Sequence, residues 1–445
     1  MGDGSTRRDT ARTTKQDDSP DDAAQFDLFG EPLPAAPAGQ SDAGASARAR
    51  RLVVASPPAL SEEPAAAPLR DGVAPSRENE SEPAPSDATA SLFGDDDLAA
   101  ETHAPATDAK PARTRRSGKR GVTPAPISDA VAATAAALPP NVRLGTSTWS
   151  FPGWNGIVYG DDYSPQKLSR DGLDAYGAHP LLKSVSIDRS FYAPLSIADY
   201  LRYAQQVPDD FRFVVKAPAS VTDAVVRGSR GEPAGPNPAF LDTRIAIDEF
   251  VRPCLDGLGR KAGALVFQFS PLPDALLADP AGLIERLAAF FAALPPLPAE
   301  PDSPRYAIEI RDSILLTPRF IRALAASGVR YCVGLHARMP DPLRQAAALA
   351  LLDGDTPGPL VVRWSLHGGF KYEQAKAKYD PFDRLVDEDP HTREALAELA
   401  ARYVLAGQPV LITINNKAEG SAPLSCIELA KAIAESVERH RTEPG

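Results

Sequence analysis

Tyr306-Ala307-Ile308-Glu309-Ile310-Arg311 is the stretch on which the reading of this chain turns. A short run of apolar, β-favouring residues reads as a buried strand. Glu309 and Arg311 lie two positions apart, so in a strand they share a face. Either they form an internal ion pair or they belong to a charged cluster open to a ligand. Seven further runs of this kind occur in the last three hundred residues: Val142–Ser147, Lys183–Asp188, Arg212–Ala217, Ala264–Ser270, Arg330–Gly334, Leu360–Ser365 and Val410–Asn415. Most are followed by a helix-length stretch. Parallel strands need long crossovers, so eight such units predict an α/β fold, a TIM-like (β/α)8 barrel. A barrel of this kind gathers its chemistry at the carboxyl ends of the strands.

Those ends are rich in polar side chains. The second run places Ser186 and Asp188 on one face and leads into Arg189-Ser190-Phe191-Tyr192. The third ends in Lys216 after an apolar run, and an internal lysine is costly unless it meets an anion. Gln268 in the fourth run shares a side with Val266, and the seventh adds Arg363 and then His367-Gly368-Gly369. The eighth ends in Asn415-Asn416, which are turn formers or ligand hydrogen-bonders. After the first run comes Thr148-Trp149-Ser150-Phe151-Pro152-Gly153-Trp154. Large rings are seldom left in water without reason, so Trp149 is expected to line a pocket and Trp154 to cap the barrel.

The chain is not of one kind along its 445 residues. Residues 1–140 hold 17 of the 45 prolines and three of the 30 aromatics, Phe26, Phe29 and Phe93. Such a stretch cannot bury enough apolar surface to offset the entropy of ordering, so a long disordered N-terminal tail is expected before a barrel spanning 141–438. An alanine-rich helix is expected near 128–138, stopped by Pro139-Pro140. The net charge of −11 argues against non-specific coating of nucleic acid but leaves room for a locally basic pocket. Cys254, Cys332 and Cys426 lack metal or redox spacing and read as buried thiols. No apolar run approaches membrane-spanning length, so a cytoplasmic protein with no membrane partner is expected. Met1-Gly2 with Thr6 fits a myristoylation pattern loosely, and the Arg- and Ala-heavy composition, which looks bacterial, argues against it.

Within the tail, Gln25-Phe26-Asp27-Leu28-Phe29 stands as an isolated apolar cluster among acids, alanines and prolines. Such a cluster can fill an apolar groove on a partner. It resembles the Gln-x-Asp/Ser-Leu-Phe peptide by which bacterial replication and repair proteins dock on the DNA sliding clamp. Ala90-Ser91-Leu92-Phe93-Gly94 is a weaker copy without the Gln. Six positive charges between Lys110 and Arg120 read as a solvated linker face or a nucleic-acid-touching arm.

The barrel motifs recur in a familiar order: Gly145-Thr-Ser-Thr-Trp-Ser-Phe-Pro-Gly-Trp154, Ser190-Phe191-Tyr192 with Pro194, Phe211–Pro218, Val266-Phe-Gln268, Ile308-Glu309-Ile-Arg311 and Leu366-His367-Gly368. They resemble the YecE-like family, a domain of unknown function (number 72), over roughly residues 141–438. The resemblance implies a TIM-type fold and no reaction. Its recurrent polar positions fall on Lys216, Gln268, Glu309, Arg311, Arg363, His367, Asn415 and Asn416. The chain departs from the pattern at Ser186, Asp188, Asp223 and Asp312, where a carboxylate, an amide and two histidines are usual. Those losses disfavour a metal site, and no cofactor is expected.

Converging Lys216, Arg311 and Arg363 would form a positive funnel suited to a phosphate or carboxylate. Two functions follow. The first is an enzyme acting on an anionic small molecule or nucleic-acid fragment, with Glu309 as general acid or base and His367 as second proton carrier. Lys216 serves the anion there or, in a rival role, is a Schiff-base nucleophile. Asp188, Tyr192, Gln268, Arg311, Arg363, Asn415, Asn416 and Trp149 would bind the substrate. A nucleic-acid hydrolase tethered to the clamp combines this reading with the tail motif. The alternative is a non-catalytic binding module in DNA replication or repair.

Overall fold

In a computed structural model of the chain, described for residues 121–227, 233–300, 302–368 and 370–442, eight parallel strands close into a barrel. They are β1 (Val142–Thr146), β2 (Leu182–Ile187), β3 (Arg212–Lys216), β4 (Ala262–Gln268), β5 (Arg305–Glu309), β6 (Arg330–Leu335), β7 (Leu360–Trp364) and β8 (Val410–Ile414). Each pairs with its neighbours in sequence, and β1 pairs with β8 to complete the ring. The expected runs therefore mark all eight strands, with ends displaced by at most two residues. The displacement matters at two places. Asp188 and Arg311 lie just beyond β2 and β5, where the strands part and side chains reach the mouth.

Nearly every strand residue is buried on both faces, which is why these segments read as apolar runs rather than alternating ones. Outward-facing residues join the main core with the surrounding helices. Inward-facing Val214, Ala264, Val266, Ala307, Cys332, Val361 and Leu411 form a separate apolar plug inside the barrel. Polar layers lie above and below this plug. The helix Ala422–Thr442 returns along β1 and β8 and packs on the helix Pro390–Leu405.

The stretch read as tail is structured from residue 121 onward. Val122 and Ala125 are buried, and Pro124 forms a bridge with Tyr159 in the loop after β1. The helix Asp129–Ala137 follows, started by the Ser128 side chain accepting from Val131 N and ended before the two prolines. Average composition hides a few apolar residues that find partners on the barrel. The Gln25–Phe29 motif, its weaker copy and the basic run lie outside the described residues. A short antiparallel hairpin of Val225–Arg227 with Pro233–Pro236 was not expected, since prolines seldom signal a strand.

Candidate functional site at the barrel mouth

Interior parity brings Lys216, Gln268, Glu309, Arg311, Arg363 and, by the loop after β2, Asp188 into one layer above the plug. Glu309 is fully buried. Its Oε1 lies 2.7 Å from Arg311 Nη2 and its Oε2 2.8 Å from Arg363 Nη1. Arg363 turns its other nitrogen to Asp188, donating to Oδ1 at 3.1 Å and Oδ2 at 3.0 Å. Gln268 Oε1 accepts from both arginines, at 3.3 Å from Arg311 and 3.1 Å from Arg363. Ser186 Oγ donates to Asp188 Oδ1 at 2.6 Å. The alternation visible in the sequence thus produces a continuous chain of charges rather than a single pair.

A glycine makes that chain possible. Glu309 on β5 and Arg363 on β7 are separated by β6, and Gly334 of β6 pairs in register with Arg363. A Cβ at Gly334 would come within 3.2 Å of Glu309 Cγ and Oε1. The missing side chain leaves the gap across which the carboxylate meets the guanidinium.

Burial by itself would raise the Glu309 carboxyl, but Arg311 and Arg363, with Lys216 beyond them, outweigh it and hold the group below its ordinary range. Burial would lower Arg363; Asp188 and Glu309 more than reverse this. Lys216 is buried, with Nζ 3.6 Å from the centre of the Phe191 ring. Ser190 Oγ donates to the Lys216 carbonyl at 2.6 Å and so ties the loop after β2 to the end of β3.

Beside this layer lies a cleft lined by Trp149, Asp188, Arg189, Tyr192, Tyr203 and Asn415, together with hydroxyls of Ser147, Thr148, Ser150 and Ser169. Its volume of about 60 Å³ is space for a small chemical group, given roughly 10–15 Å³ per water on the same measure. Asp188 belongs to both the cleft and the ion-pair chain. Trp149 stacks edge-on to Tyr203 with centroids 5.1 Å apart, and its buried indole N–H has no hydrogen-bond partner among the described residues. Tyr192 is half exposed at the rim. Trp149 lines the cleft, and Trp154 is fully buried and donates to Asn416 Oδ1 at 3.2 Å.

The remaining expected site residues are placed elsewhere. Asn416 Oδ1 also accepts from Ala422 N at 2.9 Å, so it secures the start of the last helix and the Trp154 ring. Asn415 Oδ1 accepts from Lys417 N at 3.0 Å in the turn after β8, and the residue also lines the cleft. His367 is half-buried; its Nδ1 lies 2.8 Å from Gly368 O, its ring meets Phe370 at 5.1 Å, and its backbone N–H donates to Lys417 O. These contacts hold it in the loop after β7, apart from the Glu309 layer. Asp223 and Asp312, at positions where the family pattern differs, serve local ends. Asp223 pairs with Arg227 at 2.9 Å, and Asp312 accepts from Leu272 N and Arg338 at 2.8 Å each.

One residue escaped the sequence reading. His336 follows β6 directly, and Arg311 and Glu309 are among the charges it feels. Burial first, then the Arg311 charge, push its pKa down to about 4, so the ring is neutral at physiological pH. The signal was available, a histidine one residue past the strand Arg330–Leu335, at the same end as Glu309. Among the described residues no group of three or more His, Cys, Asp and Glu side chains is placed to hold a metal ion.

The family model for "Protein of unknown function DUF72" matches residues 143–445. A DUF72 family protein from Thermotoga maritima is similar over 68% of this chain and 99% of its own, at 18% identity and a TM-score of 0.45. One from Enterococcus faecalis is similar over 66% and 95%, at 16% identity and a TM-score of 0.44. A monooxygenase from Streptomyces bottropensis is similar over 67% and 100%, at 12% identity and a TM-score of 0.34. No curated protein matches the chain.

Proposed function

The chain belongs to the DUF72 family, and from that premise we propose that its barrel mouth binds a small molecule or nucleic-acid fragment carrying an anionic group and a flat ring. One observation carries the reading: behind the cleft three cations, Lys216, Arg311 and Arg363, are buried in one layer with Glu309 and beside Asp188. In a low-dielectric interior the attraction of such cations for an anion is greater than in water. Arg189 adds a further cation at the cleft itself. Trp149, Tyr192 and Tyr203 supply ring faces, and the unpartnered Trp149 N–H supplies a donor that a ligand oxygen would satisfy.

Capture is favoured over acid–base turnover by Glu309. A fully buried carboxylate held below its ordinary pKa by two guanidiniums stays ionised, and gives up or takes no proton near neutrality. Its role in this reading is to hold Arg311 and Arg363 for the ligand. An enzyme built on the same cleft would draw its carboxylate from Asp188 instead, the one that reaches the cleft.

Titration of the full chain with inorganic phosphate, ribose 5-phosphate and nucleoside monophosphates tests the proposal. Nucleoside monophosphates are expected to bind saturably and more tightly than phosphate. Trp149→Ala should cost about tenfold in affinity for them, the scale of one lost stacking contact. Equal binding by Trp149→Ala, or no saturable binding by any anion, would remove the reading.

The tail motif supports a tether to DNA metabolism, resting on Gln25, Phe26, Asp27, Leu28 and Phe29. A peptide spanning residues 23–32 should bind purified bacterial sliding clamp, and Leu28→Ala with Phe29→Ala should abolish that binding. A flat titration with the unaltered peptide at high clamp concentration would remove the tether while leaving the barrel site untouched.

A further inference from the structure

The opposite end of the barrel carries a second polar layer, and nothing in the function above uses it. Arg143 of β1, Arg212 of β3 and Arg305 of β5 stand at the amino ends of their strands. Arg212 and Arg305 share interior parity with the plug residues Val214 and Ala307. Arg143 and Arg212 are more than nine-tenths buried. Below the plug is a cavity of about 10 Å³ lined by Arg143, Arg212, Gly263, Arg305, Val361 and Leu411, among others. Those six residues come from six of the eight strands, so the cavity sits on the barrel axis. Gly263 keeps it open: a Cβ there would press on Leu411 Cδ2 at 2.8 Å and Arg212 Cβ at 3.0 Å.

The charge around this cavity does not balance. Arg305 is taken up by the carbonyls of the loop before β5, donating to Pro298, Ala299, Glu300, Ser303 and Pro304. Arg143 Nε donates to Asp210 O at 3.0 Å, and Arg212 Nη1 donates to Asp209 O and Phe211 O. Carbonyls satisfy N–H groups without neutralising charge. The carboxylate reaching this pair is Asp302, 3.3 Å from Arg143 and 3.9 Å from Arg212, with its side chain 57% exposed. Among the described residues no group accepts a hydrogen bond from the buried Arg212 Nε. Burial, then the Arg143 charge and more weakly Arg260, lower the Arg212 pKa, with Asp302 and Asp210 acting in the other direction.

We propose that this cavity is a structural site for one monatomic anion, a halide such as chloride, held between Arg143 and Arg212 on the barrel axis. Its small volume suits a monatomic ion better than phosphate or sulfate. An anion there would accept from Arg212 Nε and offset two like charges that converge on one cavity, linking β1 to β3. Asp302 is its competitor from the solvent side.

Thermal unfolding of the full chain at constant ionic strength, with chloride or bromide replacing gluconate, tests the site. Gluconate is too large for the cavity. Halide should raise the melting temperature saturably by about 2–4 °C. Asp302→Asn should start lower and gain more, because the competing carboxylate is gone, and Arg212→Gln should not respond. A response in Arg212→Gln equal to that of the unaltered chain, or none in both the unaltered chain and Asp302→Asn, would overturn the proposal. Should Arg212→Gln fail to fold, anomalous diffraction from a bromide-soaked crystal decides. A bromide peak beside Arg212 Nε and Arg143 supports the site; a water or the Asp302 carboxylate in that place overturns it.

Discussion

Glu309→Gln should destabilise the barrel by about 3–5 kcal/mol, the cost of removing one partner from a buried ion pair. The variant takes from Arg311 the carboxylate 2.7 Å away and leaves Arg363 with Asp188 as an acidic partner, in a largely buried layer. Urea denaturation of the two proteins measures the difference. The double replacement Glu309→Leu with Arg311→Met should recover part of the loss, since apolar groups leave no stranded charge. A single variant as stable as the unaltered chain would show that the pairing is idle. The pH dependence has a definite sign. The folded pKa of Glu309 is depressed, so its contribution is complete above the ordinary glutamate value of about 4.3 and disappears as pH falls through the lower folded value. The stability gap between the two proteins should therefore be constant near neutrality and narrow in acid below that value. A gap that stays constant throughout acid would mean the group is not an ionised carboxylate in the folded protein.

Gly145→Ala should be among the most damaging small substitutions at the described residues. A Cβ at Gly145 would overlap the carbonyl of Ser184, a backbone group that cannot swing aside. The pairing of β1 with β2 shifts register between Leu144 and Gly145, and it is this irregularity that draws the two backbones together. Gly145 O also receives Cys426 Sγ from the last helix at 3.3 Å, so displacement of β1 would reach that helix. About 3 kcal/mol is expected, the upper part of the usual range for overpacking, or a fall of roughly 6–12 °C in melting temperature. Gly121→Ala is the control, because no atom lies within 4 Å of the Cβ it would add. A Gly145→Ala protein melting together with that control would mean that the strand spacing yields freely.

The two glycines that matter most were read differently in the sequence. Gly145 appeared as part of a recurrent motif, with no hint of what it touches. Gly334 closed an apolar run and drew no comment, although it lets Glu309 meet Arg363. Both cases concern an approach between segments far apart in the chain. The same limit explains Asn416 and His367. Each stands at the end of a strand where ligands are held, and each is taken by a structural neighbour, the last helix for one and the Phe370 loop for the other. His336 carries no local mark of its own in the sequence, whereas His367 is followed by two glycines.

Strand identity, strand direction and inward parity follow from local chemistry, because alternation of side chains is a property of the extended backbone itself. Residues 142–414 therefore announced a closed parallel barrel, and the polar set Asp188, Lys216, Gln268, Glu309, Arg311 and Arg363 announced a common layer at its mouth. Which of those charges pair, and which face a cleft, was settled only by tertiary structure. Pairing across β6 depends on barrel curvature and on the width of a missing side chain, and cleft lining depends on where the loops after β1 and β2 come to rest. Those are distances between remote segments, and no periodicity within one segment encodes them.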